Sequence, residues 1–126
     1  MGGDYIYTTL SADAGVTALV GTTHIHNARM VPETDTSKDT INFYQVTPWN
    51  VAQEYFDITW SIDCRSEIQS TSEATARAVS DALNRESATV GGKDYYGVAE
   101  IFPAIPPADQ ADVYNTPVQI RLRRRR

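Results

Sequence analysis

Cysteine is nearly absent: Cys64 stands alone in 126 residues. No internal disulfide can form, so packing must hold the fold, and such cysteine usage suits a reducing compartment. No apolar run approaches the roughly 20 residues needed to cross a bilayer, and the N-terminal stretch shows no basic-then-apolar signal pattern. A soluble protein with no membrane contact, made in the cytoplasm, is therefore expected. Histidine is also scarce. His24 and His26 stand two apart and would share one strand face, but zinc sites take three or four protein ligands and Cys64 belongs to the inner register of another strand. They read as partly exposed polar side chains, and no metal is expected. No nucleophile-elbow spacing is present, and Gly91-Gly92-Lys93 lacks the rest of a phosphate-loop pattern, so it reads as a hairpin turn. Asp57 and Asp63 share a polar face, yet six strand residues span roughly 20 Å, too far for two carboxylates to act on one bond. Neither an enzyme nor a cofactor is indicated.

What is present suffices for a core. With 41% hydrophobic and 21% charged residues, the chain is expected to fold as one domain over residues 1–126. Its charge is unevenly placed. All sixteen acids and six of the eleven basic residues fall within residues 1–120, whereas 121–126 hold five arginines. An acidic body with a basic tail is not the footprint of a general duplex binder, which needs a basic face across the whole domain. The tail 121–126 reads either as a solvated terminus or as an arm for phosphate or an acidic neighbour.

Along the chain, Ile6 and Leu10, then Val16, Leu19 and Val20, give the three-and-four spacing of two short helices, with Asp4 and Asp13 placed as N-caps. A short strand is expected over His24 to Met30 and a flexible polar loop near residues 31–40. Ile41 to Thr47 reads as a strand. Phe56, Ile58, Trp60, Ile62 and Cys64 alternate with Asp57, Thr59, Ser61, Asp63 and Arg65, the period of a half-buried strand. The two would pair as an antiparallel hairpin. Ser70 and Glu73 fit a capping box for a helix with Ala74, Ala78, Val79, Ala82 and Leu83 inward. Gly91-Gly92 turns the chain into a strand from Tyr95 towards Ile105, and a last strand starts near Pro117. The expected architecture is α+β: a two-layer domain with a mostly antiparallel sheet of about 4–5 strands and helices on one face. Trp60 and Phe56 fall on the inner register. Trp49, Tyr55, Tyr95 and Tyr96 lie near hairpin ends, where exposed aromatics anchor interfaces.

This order of elements resembles the tail-terminator family of long-tailed bacteriophages and phage-like particles, also called tail-completion or head-tail joining proteins. The resemblance is carried by Leu10-Ser11-Ala12-Asp13-Ala14-Gly15-Val16-Thr17-Ala18-Leu19-Val20-Gly21 leading into Ile25 and Pro32, by the long alternating strand, and by the Ala-rich helix ending at Leu83. The Gly91-Gly92 turn and a final strand ending in arginines extend it over most of the chain. It implies a homo-oligomeric ring, a hexamer, that caps the tail tube, stops its polymerisation and docks to a neck or head-completion (stopper) protein. The place implied is the virion tail or neck, with no catalytic residue.

Within that reading, Trp49, Tyr55, Tyr95, Tyr96, Arg121 and Arg123 are candidate interface residues. Asp57 and Asp63 are candidate channel-lining residues that would repel the phosphates of DNA passing through. The terminal arginines would then reach a neighbouring acidic subunit. Competing readings are another neck component such as a stopper, a tail-tube subunit, a small enzyme or ligand-binding domain, and a nucleic-acid regulator using the arginine tail.

Overall fold

The computed structural model describes residues 2–47, 50, 51, 55–107 and 113–125. Two short helices open the chain, α1 (Gly3–Ala12) and α2 (Ala14–Val20). Asp13 caps α2 as its position predicted, its carboxylate accepting the Val16 N–H at 3.0 Å. Asp4 does not cap α1: Gly2 holds that position, and Asp4 lies in the first turn, where its charge complements the helix dipole.

Strands β1 (Ile25–Asn27), β2 (Thr40–Gln45), β3 (Asn50–Val51) and β4 (Tyr55–Ser66) follow. After them come the helix α3 (Gln69–Leu83) and strands β5 (Ser87–Val90), β6 (Lys93–Ile101) and β7 (Tyr114–Arg125). The sheet order is β1-β2-β4-β7-β6-β5, with β3 paired to β4 off that path. Among the described residues the sheet holds the five expected strands and two more, the short β3 and β5, which carry too few residues for periodicity to register. The expected hairpin forms, Tyr44 lying opposite Ser61. Gly91 and Gly92, with φ of 59° and 76°, make the turn between β5 and β6, where a side chain would be strained.

One pairing departs from the expected antiparallel sheet. Strand β1 lies parallel to β2, Ile25 beside Ile41. A parallel neighbour requires the chain to travel back before re-entering the sheet, and residues 28–39 do so across the sheet's outer side. The Asn42 side-chain amide donates to the Ala28 and Arg29 carbonyls at 3.2 and 2.9 Å, and Arg29 lies 4.9 Å over the Tyr44 ring. Asn42 is consequently buried on a face that alternation marks as outward.

The three helices cover the inner face, as expected. Tyr5, Ile6 and Leu10 of α1 meet Phe43, Trp60, Ile62, Ile120 and Leu122 in one buried cluster, with Val79 and Leu83 from α3. Each such side chain contributes about 1.5–3 kcal/mol by leaving water. Helix α3 begins at Gln69 with no side-chain cap, not at a Ser70–Glu73 box. Its buried residues are Ser72, Thr75, Ala76, Val79 and Leu83, while Ala78 and Ala82 are partly buried at the edge of the core. Among the described residues no helix is long and apolar enough to cross a membrane.

Candidate functional site

The β4–β7 ladder spans the sheet and sets Asp57 opposite Arg123 and Thr59 opposite Arg121. Because alternate side chains point to opposite faces, all four leave the helix-covered side. Arg123 Nε donates to Asp57 Oδ1 at 3.1 Å, and Arg121 Nη2 lies 3.6 Å from Asp57 Oδ2. One carboxylate thus sits between two guanidiniums. Arg121 stays 67% exposed and Arg123 47%. Exposed pairs of this kind add about 0–1 kcal/mol to stability, so their main effect is to orient the arginines.

Strand β6 completes the surface. Tyr96 and Val98 are 42% and 48% exposed and, with Glu100 and Gln119, line an open groove of about 420 Å³ alongside the arginines. Tyr96 is therefore placed at the surface, as the sequence suggested. Tyr95 corrects the expectation: it is 3% exposed, stacked on Tyr5 with ring centroids 5.1 Å apart, and belongs to the core. Burial raises the pKa of both phenols; Glu86 adds to this at Tyr5 and Asp4 at Tyr95. The reason is parity. Tyr95 pairs with Arg124, which points inward over the Phe56 ring at 4.9 Å, while Tyr96 pairs with outward Arg123. Trp49 and the Tyr55 side chain lie outside the described residues; the Tyr55 backbone opens β4 opposite Arg125.

Asp57 and Asp63 do share the outer face, but they do not form a free negative wall. Asp57 is held by two arginines, as above. Asp63 is 5% exposed and lies 3.6 Å from Arg65 Nη2. Phe102, Pro103 and Ile105 line the same depression as Asp63, because the chain after β6 folds back over this end of the sheet, where Ile105 bridges to Asn115. On the opposite side of β4, Cys64 is fully buried; burial first, and the Asp63 charge second, push its thiol pKa far up. It behaves as a packing residue, without thiolate reactivity.

The opposite end of the sheet carries a cluster that the sequence reading did not assemble. His24 Nδ1 donates to the Asp35 carboxylate at 2.9 Å and His26 Nε2 at 2.5 Å, while the Ser37 N–H donates to the same group at 3.0 Å. Burial pulls the Asp35 pKa up, but the hydrogen bonds from His26, His24 and Ser37 outweigh it and hold the carboxyl below its ordinary range. The two histidines do share a face, as their spacing predicted, yet their role is to anchor the loop at 31–40. Among the described residues no group of His, Cys, Asp and Glu is arranged to hold a metal. The available signal was an acid-bearing polar loop that has to return to a strand bearing His-x-His.

Acids gather at this end. Ser66 Oγ, at the close of β4, donates to Asp39 at 2.6 Å, and Glu67 follows on the surface. Glu33 and Asp35 line an open groove of about 550 Å³ together with Lys38 and Arg65. The exposed Ile68, at 61%, stands next to Glu67. From Asp57 to Ser66 the strand covers about 30 Å at 3.3 Å per residue. The ladder therefore carries mixed charge at both ends, Arg121 and Arg123 with Asp57 and Glu100 at one, and Glu33 and Asp35 with Lys38 and Arg65 at the other.

A family model described as tail completion protein gp17 matches residues 4–103. Among solved structures, a chain from a structure titled "Virion of native gene transfer agent (GTA) particle" matches with a TM-score of 0.66 and 25% identity, over 96% of this chain and 92% of that one. No curated protein matches the chain.

Proposed function

Since the chain belongs to the tail completion protein gp17 family and is a structural component of a phage-like virion tail, we propose that its copies close into a ring, a hexamer, at the head-proximal end of the tail tube. In this reading the ring stops tube polymerisation, then joins the tail to a neck or stopper protein, and the genome passes through its opening. The work is done by surfaces: one side matches tube subunits, the other a different partner, and rotation closes the heterologous contacts between copies. No bond-making step enters it.

The observation that carries the proposal is the family match over residues 4–103, from α1 to β6. The geometry supports it through a rigid two-layer body whose outer sheet face, bearing Tyr96, Val98, Arg121 and Arg123, is left uncovered by its own helices. The channel-lining role proposed for Asp57 and Asp63 needs modification on the same geometry. Neither carboxylate is unpaired, so any repulsion of DNA phosphates from this face is weak.

The purified protein tests the reading. Mass photometry should give one discrete oligomer of several subunits, and negative-stain images should show single closed rings. Long filaments would make the chain a tube subunit instead. A monomer at every concentration, unaffected by tube protein, would overturn the ring.

A further inference from the structure

We infer that the depression over Asp63 on the outer face of the sheet seats a tyrosine side chain of a partner protein, whose phenol donates a hydrogen bond to the carboxylate at the floor. The depression is complete within one copy, so the inference stands independently of the ring reading.

The first argument is a floor of acceptors that the fold buries and leaves short of donors. The ladder places Ser61 opposite Gln119 and Asp63 opposite Pro117, with Tyr44 of β2 on the other side of Ser61 and Asn115 two residues before Pro117. Ser61 is 6% exposed and Asp63 5%. Arg65 Nη2 stands 3.6 Å from Asp63 Oδ2, which balances the charge but lies beyond hydrogen-bond range. Among the described residues no hydrogen-bond donor reaches the Asp63 carboxylate. The Asn115 side-chain oxygen is buried as well, and it too has no partner. Buried acceptors are nearly always paired, so a floor that carries two open ones calls for a donor from outside.

The second argument is what the walls admit. Tyr44 stands on one side and Phe102, Pro103 and Ile105 on the other, around a space of about 440 Å³. Phe102 and Ile105 are 36% and 51% exposed, so the walls are open to a visitor. Apolar walls over a few polar groups are the usual make-up of a recognition pocket. A cation is disfavoured, because Arg29 already lies 4.9 Å over the Tyr44 ring and Arg65 already faces Asp63. An anion is opposed by Asp63 itself. A purely apolar side chain would suit the walls but seal the acceptors without a donor. A tyrosine satisfies both: its ring matches the sides, its O–H makes a charge-assisted bond to the carboxylate, and its oxygen still accepts from the Ser61 hydroxyl or the Gln119 amide. The indole of tryptophan donates only.

The experiment titrates the full-length protein with N-acetyl-tyrosinamide and N-acetyl-phenylalaninamide, followed by NMR of the backbone amides. The tyrosine probe should shift the resonances of Ser61, Asp63, Ile105 and Asn115. The phenylalanine probe should bind there about tenfold more weakly, the loss expected of one hydrogen bond to a charged group. Asp63→Asn keeps the shape of the acceptor without its charge and should narrow that preference to about threefold, thermal unfolding confirming that the variant is folded. Ile105→Ala tests the exposed wall separately from the floor and should weaken both probes alike. Equal binding of the two probes overturns the inference, as does the absence of any shift at the depression or tighter binding of N-acetyl-argininamide. Resonances of the depression that move with protein concentration before any probe is added would put a second copy there and overturn the partner's tyrosine as its occupant.

Discussion

His26 and Asp35 are joined by a 2.5 Å hydrogen bond between Nε2 and Oδ2, and His24 reaches the same carboxylate at 2.9 Å. The bond ties the returning loop to the strand it leaves, which allows β1 to lie parallel to β2. Asp35→Asn replaces a charged acceptor that is 6% exposed and holds three donors. It should cost about 1–3 kcal/mol at pH 7. The pH dependence follows from the depressed Asp35 pKa. Its contribution is complete above the ordinary aspartate value of 3.8 and is lost as pH falls through the lower folded value. Denaturant unfolding of the original and Asp35→Asn proteins should therefore differ at neutral pH, and the difference should begin to shrink only as pH falls below 3.8. A difference that persists unchanged at pH 3 would show that the carboxylate charge is not what holds the loop.

Gly97 is required by a close approach. A Cβ built there lies 2.7 Å from Ile120 Cδ1 and 3.2 Å from the Leu83 carbonyl oxygen. Gly97→Ala should destabilise the fold by about 1–3 kcal/mol, as overpacking of a filled core does. Shortening the neighbour should relieve part of the clash, so Gly97→Ala/Ile120→Val should lose less than the two single changes added together. Chemical denaturation of the three variants measures this.

Leu83 closes α3 with no exposed surface and packs in the same cluster as Leu122 and Ile120. Leu83→Ala should cost about 2–5 kcal/mol, from lost transfer energy and the cavity left behind. A drop in melting temperature of only a degree or two would mean that the helix end rearranges to fill the space.

The strong periodicities were readable because they report burial directly. Strand β4 follows its alternation, with Ile58, Trp60, Ile62 and Cys64 inward, and β7 follows its own with Val118, Ile120 and Leu122. Two kinds of information were hidden. Pairing partners are one: nothing in Ile25 to Asn27 states that β1 joins its neighbour in parallel, since that depends on where the Asp35 loop docks. Satisfied polar residues are the other. Ser72 and Thr75 look solvent-facing by hydropathy, yet both are buried, and Thr75 Oγ1 donates back to the Thr71 carbonyl at 2.8 Å. At the candidate surface, Arg121 and Arg123 follow from the alternation of the last strand, whereas nearness to a hairpin end marks Tyr95 and Tyr96 alike and only Tyr96 is exposed. Nearness to a hairpin end does not give exposure to Tyr95, because Tyr5 of α1 stacks on it.

The hidden serine gives the last prediction. Ser72 Oγ has one hydrogen, which goes to the Cys64 carbonyl at 2.6 Å, so the 2.8 Å bond to Thr116 Oγ1 must be donated by the threonine. The three residues belong to α3, β4 and β7, and both hydroxyl-bearing residues are at most 2% exposed. Ser72→Ala strands a buried threonine hydroxyl and should cost about 1–3 kcal/mol, although it removes a single atom. Thr116→Val alone removes the donor but leaves Ser72 bonded to Cys64, so it should cost less. Once Ser72 is alanine the threonine hydroxyl has lost this acceptor, and adding Thr116→Val should then be close to neutral. A double-mutant cycle should accordingly give a coupling of about 0.5–3 kcal/mol between positions 72 and 116. Strictly additive losses would mean that the hydroxyls contribute independently and that packing of small side chains alone seats the helix on the sheet.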